Sequence, residues 1–86
     1  MNFLKALFST PALNNDPKQR ELADLIVGVV DEGKHISSIF DYLEFQGWPR
    51  NEAGNRVTHA VSMLKVYRAD IYPQCKTLGV EIYKVL

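Results

Sequence analysis

From Leu22 to Leu64 the apolar residues recur with helical spacing, and beyond that point the rhythm changes. Leu22, Leu25, Ile26, Val29 and Val30 follow an i, i+3, i+4, i+7, i+8 pattern, one face of an amphipathic helix. Asp16 is placed to cap that helix, Pro17 suits its first position, and Gln19 stands where a capping box would need it. Gly33 offers the left-handed conformation that commonly ends a helix. Val27 falls beside the stripe and is expected to point outward. Gly28, inside the helix, costs about 1 kcal/mol relative to alanine.

Lys34 to Ile36 reads as a short extended segment. Ser37 or Ser38 then caps a second helix with Ile39, Phe40 and Leu43 as its buried positions. Gly47 ends it, Trp48 folds back onto it, and Pro49 blocks continuation. A third helix is predicted from Asn51, its N-cap, with Glu52 in the first turn. Ala53, Val57, Ala60, Val61 and Leu64 form its buried stripe. Asn55, His59 and Ser62 point the opposite way, with Arg56 and Thr58 on the flanks. Ala69 to Tyr72 and Val80 to Leu86 are rich in β-branched and aromatic residues and are predicted as two strands. The turn between them would run from Pro73 to Gly79, with Lys76 near its tip.

Ahead of this body, Met1 to Phe8 is apolar at Phe3, Leu4, Leu7 and Phe8. A helix that short is unstable alone, so it must dock on its own domain or form a homodimer contact. Thr10 to Pro17 has linker composition. The chain therefore divides into an extension and linker, residues 1–15, and one domain, residues 16–86.

Composition narrows the function. Eighty-six residues with 47% hydrophobic and 23% charged content fit one small globular domain. The single cysteine, Cys75, rules out an internal disulfide and suits a reducing compartment. No apolar run approaches the roughly 20 residues that span a bilayer, and the N-terminus makes a poor secretory signal. A cytoplasmic protein with no membrane partner is the expectation. Net charge is zero but unevenly spread. Residues 1–49 carry seven acidic side chains against four basic. Residues 50–76 carry Arg50, Arg56, Lys65, Arg68 and Lys76 against Glu52 and Asp70.

Nothing in the sequence reads as catalytic. His35 and His59 are isolated, with no carboxylate or cysteine at metal-ligand spacing, and no glycine-rich phosphate loop is present. Neither a metal nor a cofactor is expected. Tyr42, Tyr67, Tyr72, Tyr83 and Trp48 allow a stacking platform for single strands. Core positions are the simpler reading for Trp48 and Tyr83, while Tyr67 and Tyr72 stay open.

The element order, with Val57-Thr58-His59-Ala60-Val61-Ser62-Met63-Leu64 spaced as Val-x-x-Ala-hydrophobic-x-x-Leu, resembles the winged helix-turn-helix superfamily. The run from Val57 to Leu86 resembles the short helix-turn-helix DNA-binding domains of phages and prophages. One departure is that Gly47 and Val57 stand ten residues apart, a longer turn than a tight helix-turn-helix has. The resemblance implies an α+β winged-helix fold: a three-helix core, a C-terminal β-hairpin wing and the short N-terminal helical extension. It implies a regulator of transcription or of a DNA transaction that binds double-stranded DNA, with dimerisation as the way a domain this small gathers enough contacts for a specific site. Asn55, Arg56, Thr58, His59 and Ser62 would then read base edges. Arg50, Lys65, Arg68 and Lys76 would hold phosphates. The alternative is a protein-interaction module that binds a host or partner protein. Neutral net charge, an acidic first half and the apolar extension favour that alternative.

Overall fold

A computed structural model describes residues 16–86. The expected helix over residues 1–8, its linker and the boundary at residue 15 lie outside the described residues. Four helices account for the rest: α1 (Pro17–Glu32), α2 (Ser37–Gln46), α3 (Arg50–Tyr67) and α4 (Tyr72–Val85).

The ends of α1 follow the local chemistry. The Asp16 carboxylate accepts the Lys18 N–H at 2.9 Å, and Gly33 closes the helix at φ 67°. Gln19 makes no capping box. It is fully buried and turns toward α3 instead. Val27 is also buried rather than outward, because α1 is covered by α3, α4 and α2 on different sides.

Residues 34–36 form no strand, and no serine hydroxyl caps α2. The Nδ1 atom of His35 accepts the Ser37 N–H at 3.1 Å and does that work. Gly47 ends α2 at φ 73°, with its N–H on the Glu44 carbonyl and the Trp48 N–H on that of Leu43. This pair of bonds is the Schellman closure that a left-handed residue permits. α3 starts at Arg50, with Pro49 rather than Asn51 at the cap position. Its buried stripe is as expected, with Gly54 added.

The main correction concerns the C-terminal third. Among the described residues there is no strand, so the hairpin wing and the α+β winged-helix class are both overturned. Residues 69–71 form a turn, and the expected strand–turn–strand is the single helix α4. Pro73 lies in its first turn, where a missing N–H costs nothing. Ile71, Cys75, Gly79 and Ile82 are buried, with Leu78 and Leu86 packed against the same core. That is helical spacing, and it prevails over the β-rich composition of residues 80–86. Lys76, expected at a turn tip, stands on a helix face.

α3 is the central element, with its broadest contact to α4 and the next to α1. α3 and α4 run antiparallel, since Gly54 faces Tyr83 while Gly79 faces Val61. A Cβ atom placed at Gly79 would lie 2.5 Å from Val61 Cγ2, and one at Gly54 would lie 2.9 Å from the Tyr83 ring. Real side chains do not approach so closely, so Gly79, met by the short Val61 side chain, sets the spacing of the two helices, and Gly54 leaves room for the Tyr83 ring. Helix propensity alone would favour alanine at all three mid-helix glycines.

Gly79→Ala should therefore lower stability by about 1–3 kcal/mol, overpacking outweighing the propensity gain. Gly28→Ala meets nothing within 4 Å and should raise stability by about 0.5–1 kcal/mol. Urea denaturation of the two variants checks the opposite signs.

Candidate docking groove

The close approach of α3 and α4 leaves an open groove of about 360 Å³ along one side of their contact. Val61, Gly79 and Val80 form its floor, and Tyr72 and Tyr83 line it as well. Thr58 and Ser62 line the α3 side, and Lys76 and Lys84 the α4 side. Both hydroxyls are already bonded within α3, Thr58 to the Gly54 carbonyl at 3.0 Å and Ser62 to that of Thr58 at 3.1 Å. The groove therefore presents apolar surface with the Lys76 and Lys84 ammonium groups beside it. A shallower depression continues over α4 past Lys76, Thr77, Val80 and Lys84, with the Glu81 carboxylate among them.

Of the residues singled out as DNA contacts, Thr58, Ser62 and Lys76 meet in this groove. Lys65 marks one end, its Nζ 5.7 Å from the centre of the Tyr72 ring. At the other end Arg50 donates to the Val85 carbonyl, a favourable place for a cation at a helix C-terminus. Asn55 is exposed on the same outward side of α3. Arg68 is held in a two-bond pair with Asp70, at 3.2 and 3.3 Å, which raises the arginine's pKa and lowers that of the carboxyl. Half-buried His59 is pushed below its usual pKa by burial first and by the Arg56 cation second.

Arg56 has a different neighbourhood. Its guanidinium stacks on Trp48 at 3.6 Å from the ring centre and donates to Asp16 at 2.7 Å and to Gln19 Oε1 at 3.3 Å. Gln19 donates in return to the Arg56 main-chain carbonyl at 2.6 Å. With its side chain only 18% exposed, Arg56 ties the start of α1 and the α2–α3 turn to α3. Two further contacts close the same side. Arg20 lies over the Tyr67 ring at 4.1 Å, and the Tyr42 hydroxyl donates to the Lys18 carbonyl at 3.0 Å. Burial and the Glu21 carboxylate push the Tyr42 phenol up to about 12, so it remains a donor.

Val80, Tyr83 and Lys84 are groove residues that the sequence reading left out. Tyr83, expected in the core, is half exposed. The signal for all three was the i, i+3, i+4 spacing of residues 80, 83 and 84, which puts them together only if the segment is helical. Among the described residues no three His, Cys, Asp or Glu side chains could jointly hold a metal ion. Burial raises the pKa of the Cys75 thiol, which keeps it protonated.

Fold and site together define a small all-helical domain with a lysine-edged apolar groove. No protein-family model, curated protein or solved structure matches the chain. Among the described residues no helix is long and apolar enough to cross a membrane.

The Arg56 junction generates two expectations. Arg56→Ala should cost about 2 kcal/mol, since it strands the buried Gln19 and part-buried Asp16 as well as uncovering Trp48. Trp48 is the only tryptophan, so its emission should change in the folded variant. The Arg56 hydrogen bond and the Lys18 N–H hold Asp16 below its ordinary value of 3.8. Its contribution is complete above that value and is lost as pH falls toward the folded pKa. Asp16→Asn should consequently flatten the fall in stability below about pH 4, read as the denaturation midpoint against pH.

Proposed function

We propose that this domain is a non-catalytic protein-docking module whose α3–α4 groove takes an acidic amphipathic helix. The observation that carries this reading is the groove itself, apolar in its floor and edged by Lys76 and Lys84. An amphipathic helix would bury its apolar side chains on Val61, Val80 and the tyrosine rings, the usual source of affinity in a helix-in-groove contact. Its carboxylates would meet the lysines, which steer encounter and fix orientation more than they add affinity. The lining supplies ammonium groups, phenols and hydroxyls but no carboxylate, imidazole or thiol. That supports binding over catalysis, which calls for positioned acid–base or nucleophilic groups. A lone buried thiol supports placing the domain in the reducing cytoplasm.

Double-stranded DNA is the second reading, that of a regulator of transcription or of a DNA transaction. One observation favours it: Asn55, Thr58 and Ser62 are exposed on α3, with Lys65 and Lys76 beside them. Against it, α4 lies along α3, and a major groove about 12 Å wide admits one helix rather than two abreast. Arg56 is committed to Asp16 and Trp48, and no hairpin is present among the described residues to reach the backbone.

A labelled synthetic peptide with leucine and phenylalanine on one helical face and glutamate on the other should bind by fluorescence anisotropy. The double variant Lys76→Glu, Lys84→Glu should weaken it about tenfold or more. Random-sequence duplex DNA should leave the anisotropy flat at about 50 mM salt, where phosphate contacts are strongest. No peptide binding, together with duplex binding that falls steeply by about 200 mM salt, would overturn the docking reading in favour of DNA.

A further inference from the structure

The largest exposed apolar side chain among the described residues belongs to none of these contacts. Phe45, on α2, is 87% exposed. Burying a phenylalanine removes about 150–250 Å² from water, so a partner that covered this ring would gain that area. Asp41, at i−4 from Phe45, shares its exposed side of α2, and Glu44, one turn on from Asp41, adds a second carboxylate on the same side of the ring. Among the described residues neither carboxylate is paired with a cation. α2 thus carries the features that the groove asks of its ligand: a helix, a bulky apolar anchor and neighbouring acids.

The groove has the complementary set. Lys76 and Lys84 stand eight residues apart on α4, about 12 Å along a helix; neither forms an ion pair among the described residues, although Glu81 lines the adjoining depression between them. Two acids within one turn of α2 fit between them, with the Phe45 ring over Val61, Gly79 and Val80. α2 packs on α1, and the groove lies between α3 and α4, so a domain cannot fill its own groove with its own helix.

We infer that the occupant is a second copy of this chain, docked through the Asp41–Glu44–Phe45 face of its α2. This inference rests on the groove being a site for an acidic amphipathic helix. The contact is heterologous, because the donor face and the acceptor groove are different surfaces. One such contact leaves the pair with one free donor and one free acceptor, so the product is an open chain or a ring, the smallest ring being a reciprocal two-fold pair. Attraction between the acidic α2 face and the lysine edge makes the assembly weaken with salt.

Sedimentation equilibrium of the full chain tests this. The weight-average mass should rise with concentration toward about 1 mM, the weak end of specific association. Phe45→Ala removes the donor anchor at an exposed site, and Lys76→Glu with Lys84→Glu reverses the acceptor. Each variant alone should keep the mass of one chain, and circular dichroism confirms that both stay folded. Mixed, they should form a 1:1 complex and nothing larger, because one intact donor meets one intact groove. A wild-type chain that stays monomeric overturns the inference, as does self-association that Phe45→Ala leaves unchanged. The synthetic peptide separates the two failures. A monomeric chain that still binds the peptide through Lys76 and Lys84 loses self-docking but keeps the groove. A chain whose peptide binding ignores the lysine reversal loses both.

Discussion

α4 can lie on α3 at glycine distance because one residue in each helix carries no side chain where the other helix crosses it. Val61 fills the space at Gly79, and Tyr83 lies over Gly54. Close backbone approach gives dense dispersion contact along the full antiparallel length and buries Cys75, Ile82, Val57 and Leu64 between the elements. It also determines what stays outside. Tyr83 is held flat at the edge rather than driven into the core, and Val80 is left facing solvent beside it. The groove is the remainder of that packing, a strip beside the helix contact that the domain's own described side chains line but do not fill.

The first three helices were largely legible in the sequence because their signals are local. Asp16, Gly33 and Gly47 each act through their own backbone conformation, and the apolar stripe of α3 repeats without interruption. α4 was hidden because its stripe includes Cys75 and Gly79, small where a stripe is normally recognised by bulk. With those positions muted, the β-branched and aromatic residues from Val80 onward dominated the reading. A proline and a glycine six residues apart then looked like a turn. Tertiary packing overrode composition, as it commonly does for short segments.

The site divides in the same way. Exposure of Asn55 and Ser62 followed from helical phase alone, whereas His59, expected on the same outward face, is half-buried. The role of Arg56 did not, because its partners, Asp16 and Trp48, lie 40 and 8 residues away and meet it only once α1 and the α2–α3 turn have closed on α3. A cation read from sequence as free to contact a ligand proves to be a structural fastener. Lys84, the less conspicuous cation, ends up on the groove. Formal charge says how many cations exist; burial and stacking decide which are available.

Charge separation along the chain becomes charge separation in space. The acidic first half folds into α1 and α2, while Arg50, Arg56, Lys65, Lys76 and Lys84 lie on α3 and α4, with Glu52 and Glu81 the acids among them. For a neutral protein this arrangement has a consequence that net charge conceals. Two copies attract when unlike halves meet and repel when like halves meet, within about 8–10 Å at ordinary ionic strength. Orientation is thus selected before contact, and a heterologous approach of α2 toward α3–α4 is the favoured one. Electrostatics of this kind cannot hold a complex by itself, since exposed pairs contribute at most about 1 kcal/mol each. The apolar contact must do so, which makes Phe45 on one surface and the floor of Val61, Gly79 and Val80 on the other the decisive pair.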